Sequence, residues 1–312
     1  MSLPFTHSRM EEVMERAVDV KGRSLWEDAR RRLLRNRAAV VSIVVLAVIA
    51  LAAIVGPFLL SYAYDAQDYN IISCAPNWWP DPAVECNAGG SHWFGTDSLG
   101  RDLLVRTLIG ARVSLAVGLT ATLVSLVIGV LYGATAGFVG GRVDELMMRF
   151  VDVLYSIPYI FLVIILMVIF QRNFFLLFIA IGAVEWLTMA RIVRGQTLSL
   201  KQKEFVEAAR AGGVGTFGII ARHIIPNVLG PVIVYVTLTV PASILAESFL
   251  SYLGLGIQEP LTSWGVLISD GKDQMESAPW LLLFPAAFMA VTLFCFNFIG
   301  DGLRDALDPK DR

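Results

Sequence analysis

The sequence predicts an all-α membrane protein with six transmembrane helices and both termini in the cytoplasm. Three observations carry that prediction. First, the 312 residues are 56% hydrophobic and only 17% charged, with a mean hydropathy of +0.64. Soluble domains are nearer about 45–50% and about 25%. Second, six runs are long and apolar enough to cross a hydrocarbon core: 38–60, 113–138, 147–170, 174–190, 229–251 and 280–299. Such a core is about 30 Å thick and takes about 20 helical residues. Third, Lys and Arg are asymmetric between alternate loops, which sets orientation. With the N-terminus inside, inner segments hold nine basic residues before Ala38, then Arg142 and Arg149, six in 191–222 and three in the tail. The outside keeps Arg101, Arg106, Arg112, Arg172 and Lys272.

The polar residues 1–37 place the first apolar run too deep for a secretory signal peptide. Within them, Ser24-Leu25-Trp26-Glu27 fits a capping box. Leu25, Ala29 and Leu33 follow on one helical face, with Arg30, Arg31, Arg32, Arg35 and Arg37 around it. This reads as an amphipathic helix at the cytoplasmic interface with Trp26 at headgroup level. The alternative is a solvated helix whose arginines only set topology.

The first span, 38–60, is followed by an outer segment, 61–112, made irregular by Pro76, Pro80 and Pro82 around Asn77-Trp78-Trp79. Cys74 and Cys86 lie 12 apart in it. In an oxidising compartment they would close a loop worth about 3 kcal/mol of chain entropy; otherwise they are two unpaired thiols. Cys295 falls inside the last span and reads as a packing residue.

Three carboxylates interrupt the spans, where charge is costly and often functional. Asp152 stands one turn from Arg149, an i, i+3 pair, and reads either as that ion pair or as part of a pathway. Glu185 precedes Arg191 by six residues, roughly 9 Å into the membrane. It either lines a cavity or pairs with a neighbouring helix. Glu247 sits at the outer end of the fifth span, where capping and contact with an external protein are both open. Pro158, Pro241 and Pro285 lie within spans, as gate kinks or as packing bends.

The inner segment 191–227 carries the most specific signal. Residues 201–212 read as a short amphipathic helix, with Phe205, Ala208, Ala209 and Gly212 on one face. Gly213-Val214-Gly215 makes a turn, and a second helix from Thr216 is stopped by Pro226. The pattern Glu207-Ala208-Ala209, Gly213, His223 and Ile225-Pro226 resembles the EAA loop of ABC importer permeases. Small residues would let this hairpin seat in a groove of a partner, Gly213 would permit the sharp turn, and Glu207 would offer one charge. His223 departs from the family pattern, which usually has an apolar residue there. Residues 213–218 also read GxGxxG, but a dinucleotide fingerprint needs a preceding strand, and here a polar helix precedes it.

The resemblance extends over nearly the whole chain. Phe94-Gly95-Thr96-Asp97-Ser98-Leu99-Gly100-Arg101-Asp102 is similar to the GTDxxGRD signature of peptide and nickel permeases. So is the stretch from Glu247 to Gly256 with Pro260 and Ser263-Trp264-Gly265, and so is the tail from Gly300 to Pro309. The run from Met189 to Lys201 and the tail read closest to the C subunit of the oligopeptide branch. The resemblance implies a type I ABC importer permease fold in the bacterial inner membrane. Its core would be 113–302, with coupling loop 201–226 and cytoplasmic tail 303–312. It also implies a second homologous permease, two cytoplasmic ATPase subunits that bind ATP and Mg²⁺, and a periplasmic binding protein delivering peptide. This chain itself would bind no cofactor. Glu207, Ala208, Ala209, Gly213, His223 and Pro226 would contact the ATPase. Asp152 and Glu185 are candidates for the pathway, where Glu185 would meet a peptide's amino group. Glu247 and Trp264 are candidates for binding-protein contact. Dipeptide, nickel and murein-peptide importers share much of this text.

Other function classes find little support. No GxxxxGK[ST], GxSxG or HExxH occurs, and His7, His92 and His223 all lie outside the spans. That argues against a nucleotide site and an intramembrane protease. The cysteines and histidines lack metal-type spacing. A net charge of -2 gives no indication of nucleic acid. An ion-driven carrier or channel would have no use for the hairpin.

Overall fold

The computed structural model describes residues 25–79, 92–169 and 174–307. The expectations for Pro80, Pro82, Cys86, Arg172 and the terminal residues 1–24 and 308–312 lie outside them, as does the side chain of Trp26. The described elements are helical: α1 Leu25–Arg35, α2 Arg37–Leu59, α3 Leu103–Val139, α4 Gly141–Ser156, α5 Tyr159–Ile169, α6 Phe174–Leu200, α7 Glu204–Ala211 and α8 Thr216–Ile219. A π-helical turn, Ile220–Ile224, follows, then α9 Ile225–Tyr252, α10 Trp264–Lys272 and α11 Trp280–Leu307.

Four stretches among the described residues are long and apolar enough to cross a membrane: Arg37–Leu59, Leu103–Val139, Thr216–Tyr252 and Trp280–Leu307. The bent pair α4 and α5 raises this to five. The remaining expected run, 174–190, lies within α6. Several boundaries differ from expectation: α6 runs on to Leu200 and α11 to Leu307, past the expected ends at 190 and 299. The helix expected at 113 starts at Leu103, because Asp102 caps it by accepting from Val105 N–H at 2.8 Å. The third expected span is not one helix but two, bent by 89°. Pro158 is the cause: its ring disfavours helical geometry at Ile157, which is extended at φ -81 and ψ 127.

The centre of the fold is the α3–α6 contact, made close by small residues. A methyl group added at Gly129 would stand 2.5 Å from Met189 Cβ, at Gly133 2.3 Å from Ala190 O, and at Gly137 2.9 Å from Arg194 O. Gly182 on α6 returns the fit against Ala121 O. Gly133→Ala is therefore expected to destabilise the purified protein by about 1–3 kcal/mol through overpacking. Gly195→Ala, where a methyl group meets nothing within 4 Å, is the matched control. Equal thermal midpoints for the two variants would disprove the close-packing account.

Polar side chains repair the helix ends and breaks. Pro57 inside α2 cannot donate to Ala53 O, and Arg112 from α3 supplies that missing donor through Nε while Nη2 reaches Ile54 O at 2.6 Å. Lys201 Nζ donates to Gly137 O at 2.9 Å, near the last turn of α3. Arg194 forks onto Asp144 with two bonds of 2.6 Å, tying α6 to the first turn of α4. At the same end, α1 packs on α11: Ala29 is buried, and Leu33 lies beside Gly302.

The GTDxxGRD segment folds into a knot at the opposite end. Thr96 Oγ1 donates to Ile71 O and accepts from Cys74 N–H at 2.9 Å. Asp97 Oδ1 accepts from Leu99 N–H and Arg101 N–H, both at 2.9 Å. Its Oδ2 accepts from Arg101 Nε at 2.7 Å and faces Arg106 Nε at 3.3 Å. Gly100, at φ +70, passes so close to Asp68 O that only glycine fits. Burial works to lower the Arg101 pKa, but Glu259 and Asp97 outweigh it and hold the guanidinium above its ordinary value. Asp102 also bonds His92 Nδ1 at 2.8 Å. Trp79 and Phe94 pack this loop on Trp280 and Phe284 of α11. Cys74, within the loop, is disulfide-bonded, whereas Cys295 is a buried free thiol.

Candidate functional site

The hairpin 201–226 forms where expected, and Val206, beside the expected apolar face, anchors it. α7 starts at Glu204, and Val206 is its buried residue; Phe205 is 40% exposed and Ala209 half-buried. Val206 joins Ile219, Ile220 and Ile224 in one apolar cluster with Phe138 of α3 and Val193 of α6. Arg210 covers the Phe138 ring at 5.1 Å. Glu207, Ala208 and Gly213 remain exposed, and Phe217 projects with 82% of its surface free. Gly213 has φ +80, as its expected turn requires.

Pro226 does not stop the second helix. It occupies the first turn of α9, and the chain runs as one helical stretch from Thr216 to Tyr252. The intervening π turn bonds Ile225 N–H to Ile220 O. Proline is tolerated in a first helical turn because its missing donor is not needed there. His223 is half-buried, 6.4 Å from the Phe205 ring.

A cavity of about 490 Å³ opens at the α4–α5 break. Tyr155 and Tyr159 line it from either side of that break, Glu185 and Thr188 from α6, and Tyr235 and Thr239 from α9. Glu185 Oε2 accepts from Ser243 Oγ at 2.6 Å. Asp152 stands next to this cavity, but its partner is Arg191 of α6 at 2.7 Å rather than Arg149. The helix break turns α4 toward α6, so the inter-helix partner wins over the sequence neighbour. Arg191 also lies over the Tyr155 ring at 4.1 Å. Of the residues around Glu185, the sequence reading missed the three tyrosines, Ser243 and Arg191; the Tyr-Ser-Ile-Pro-Tyr break at 155–159 was the available signal.

Glu247 and Trp264 are both 0% exposed, which corrects the expectation of a docking contact: neither side chain reaches the surface. Glu247 Oε1 accepts from Ser251 Oγ at 2.6 Å and from Ser263 Oγ at 2.7 Å. Ser263 in turn caps α10. The Trp264 indole donates to Thr107 O at 3.1 Å. These residues fasten α10 between α3 and α9.

Comparison with known proteins agrees with this architecture. Residues 125–312 match the family described as binding-protein-dependent transport system inner membrane component. Residues 24–76 match the N-terminal TM domain of oligopeptide transport permease C. The chain is 59% identical to the oligopeptide transport system permease protein OppC of Escherichia coli (strain K12), over the whole of both chains. It is 57% identical to OppC of Haemophilus influenzae over 97% of this chain and 95% of that one. It is also 46% identical to the dipeptide transport system permease protein DppC of Bacillus subtilis, over 93% of this chain and 87% of that one. The chain therefore belongs to the family of inner membrane components of binding-protein-dependent transport systems.

Proposed function

We propose that this chain is a permease subunit of an ATP-driven oligopeptide importer, and that it forms half of the translocation pathway. It is a transport component and not an enzyme. The observation that carries the reading is the 59% identity over full length to a relative named for oligopeptide transport. In this reading six helices cross the inner membrane, α6 among them, and both termini are cytoplasmic. A second homologous permease completes the pathway. Two ATPase subunits, which bind ATP and Mg²⁺, receive Glu207, Ala208, Ala209 and the exposed Phe217 of the hairpin. A periplasmic binding protein delivers peptide to the opposite end, where Cys86 is the proposed partner of Cys74. ATP binding draws the ATPases together, moves the hairpins and turns the cavity outward; hydrolysis resets it.

The test is reconstitution. The chain should copurify with ATPase subunits, and proteoliposomes holding the full complex should take up peptides only with ATP. Peptides graded from two to five residues separate this reading from the dipeptide one, which the relative in Bacillus subtilis keeps open. Uptake of dipeptides alone would select the latter, and uptake without ATP would refute both.

A further inference from the structure

We infer that the Glu185 cavity is an ammonium-binding subsite, which receives the free amino group of the peptide in transit. This rests on the peptide-import reading and adds a recognition chemistry to it. The cavity, at about 490 Å³, is in the roughly 300–1,000 Å³ range of small-ligand pockets and has room for the amino end of a short peptide. Its single acidic lining group is Glu185. That carboxylate has one described hydrogen bond, from Ser243 Oγ at 2.6 Å. Among the described residues no Lys, Arg or His stands within ion-pair distance of it; the nearby arginines Arg191 and Arg194 are held by Asp152 and Asp144. A carboxylate with lone pairs to spare and no cation matches a primary ammonium, which has three donors and no acceptor.

The walls fit the same ligand. Tyr155, Tyr159 and Tyr235 line the same cavity as Glu185, and tyrosine rings are a wall type that attracts cations. The Tyr159 hydroxyl is buried and has no partner in the described structure. Arg191 lies over the Tyr155 ring at 4.1 Å, so Tyr159 and Tyr235 are the rings left to the ligand among the described residues. The Asp152–Arg191 pair is half exposed.

The experiment uses the complete importer in nanodiscs. Glu185 is labelled with dicyclohexylcarbodiimide and quantified by mass spectrometry, with trialanine or N-acetyl-trialanine present. Protection by trialanine alone is the expected result. Equal protection by both peptides, or by neither, would overturn the inference while leaving peptide import intact. Uptake by Glu185→Gln should fall about tenfold, the loss of one charge-assisted bond, with Glu185→Asp retaining more of the rate. A wild-type complex that takes up no peptide would instead refute the importer reading.

Discussion

Gly213→Val is expected to abolish ATP-driven uptake while leaving the protein inserted and folded. Gly213 holds φ +80, a conformation that costs an ordinary residue about 1–2 kcal/mol and a β-branched one more. A side chain there would meet nothing within 4 Å, so the variant suffers no clash inside the protein. The strain falls on the turn between α7 and α8, and relieving it reorients α7 with Glu207 and Ala208. The apolar cluster of Val206, Ile219 and Ile224 lies behind the turn and keeps the hairpin attached. Uptake in proteoliposomes, yield of membrane-inserted protein and copurification of the ATPases should be measured together. Normal uptake by Gly213→Val would remove the hairpin from the coupling mechanism. Gly213→Ala should lie between, because alanine tolerates the left-handed region better than valine.

Asp97→Ala is expected to destabilise the protein by about 3–5 kcal/mol, the usual cost of leaving buried charge without its partner. Asp97 faces two guanidiniums, Arg101 at 4% exposure and Arg106 at 0%. It also orders the turn through Leu99 N–H and Arg101 N–H. Asp97→Asn should cost less, since an amide oxygen preserves the two turn bonds but not the charge. Thermal unfolding in detergent measures both. A wild-type midpoint for Asp97→Ala would mean that the aromatic packing of Trp79 and Phe94 on α11 holds this loop unaided.

The elements of the fold and the partners of its charged side chains were unequally readable from sequence. Apolar runs located α2 and α9 to within four residues and the start of α11 at Trp280, because hydropathy depends on composition alone; α11 continues past the apolar run to Leu307. The hairpin was readable because its glycine and its small residues fall in a fixed order. Val206, the residue that anchors the hairpin, was not singled out, since apolar spacing over eight residues does not separate the face that packs inward from the one left exposed. The 89° bend was under-read: Pro158 marked a break, but a proline in the sequence does not state the angle at which the two helices part. Partner choice was not legible at all. Asp152 has Arg149 within a turn, yet bonds Arg191, 39 residues away. Glu247 was located at a helix end correctly, but its complete burial depends on α10 folding back over it. Glycines 129, 133 and 137 carry a readable spacing whose meaning depends on which helix they meet.

The uninterrupted helical stretch from Thr216 to Tyr252 has a mechanical consequence. Its 37 residues make a strut about 55 Å long. The strut begins at the exposed tip of the hairpin, passes Tyr235, Thr239 and Ser243 beside the cavity, and ends near Glu247 under α10. Force applied at Phe217 has few places to dissipate along such a rod. Those places are the wide turn at Ile220–Ile224 and the prolines at 231 and 241, where backbone bonding is altered or missing. Pro241 stands two residues before the serine that holds Glu185. Movement of the lower segment would thus be delivered as a change in where that serine points.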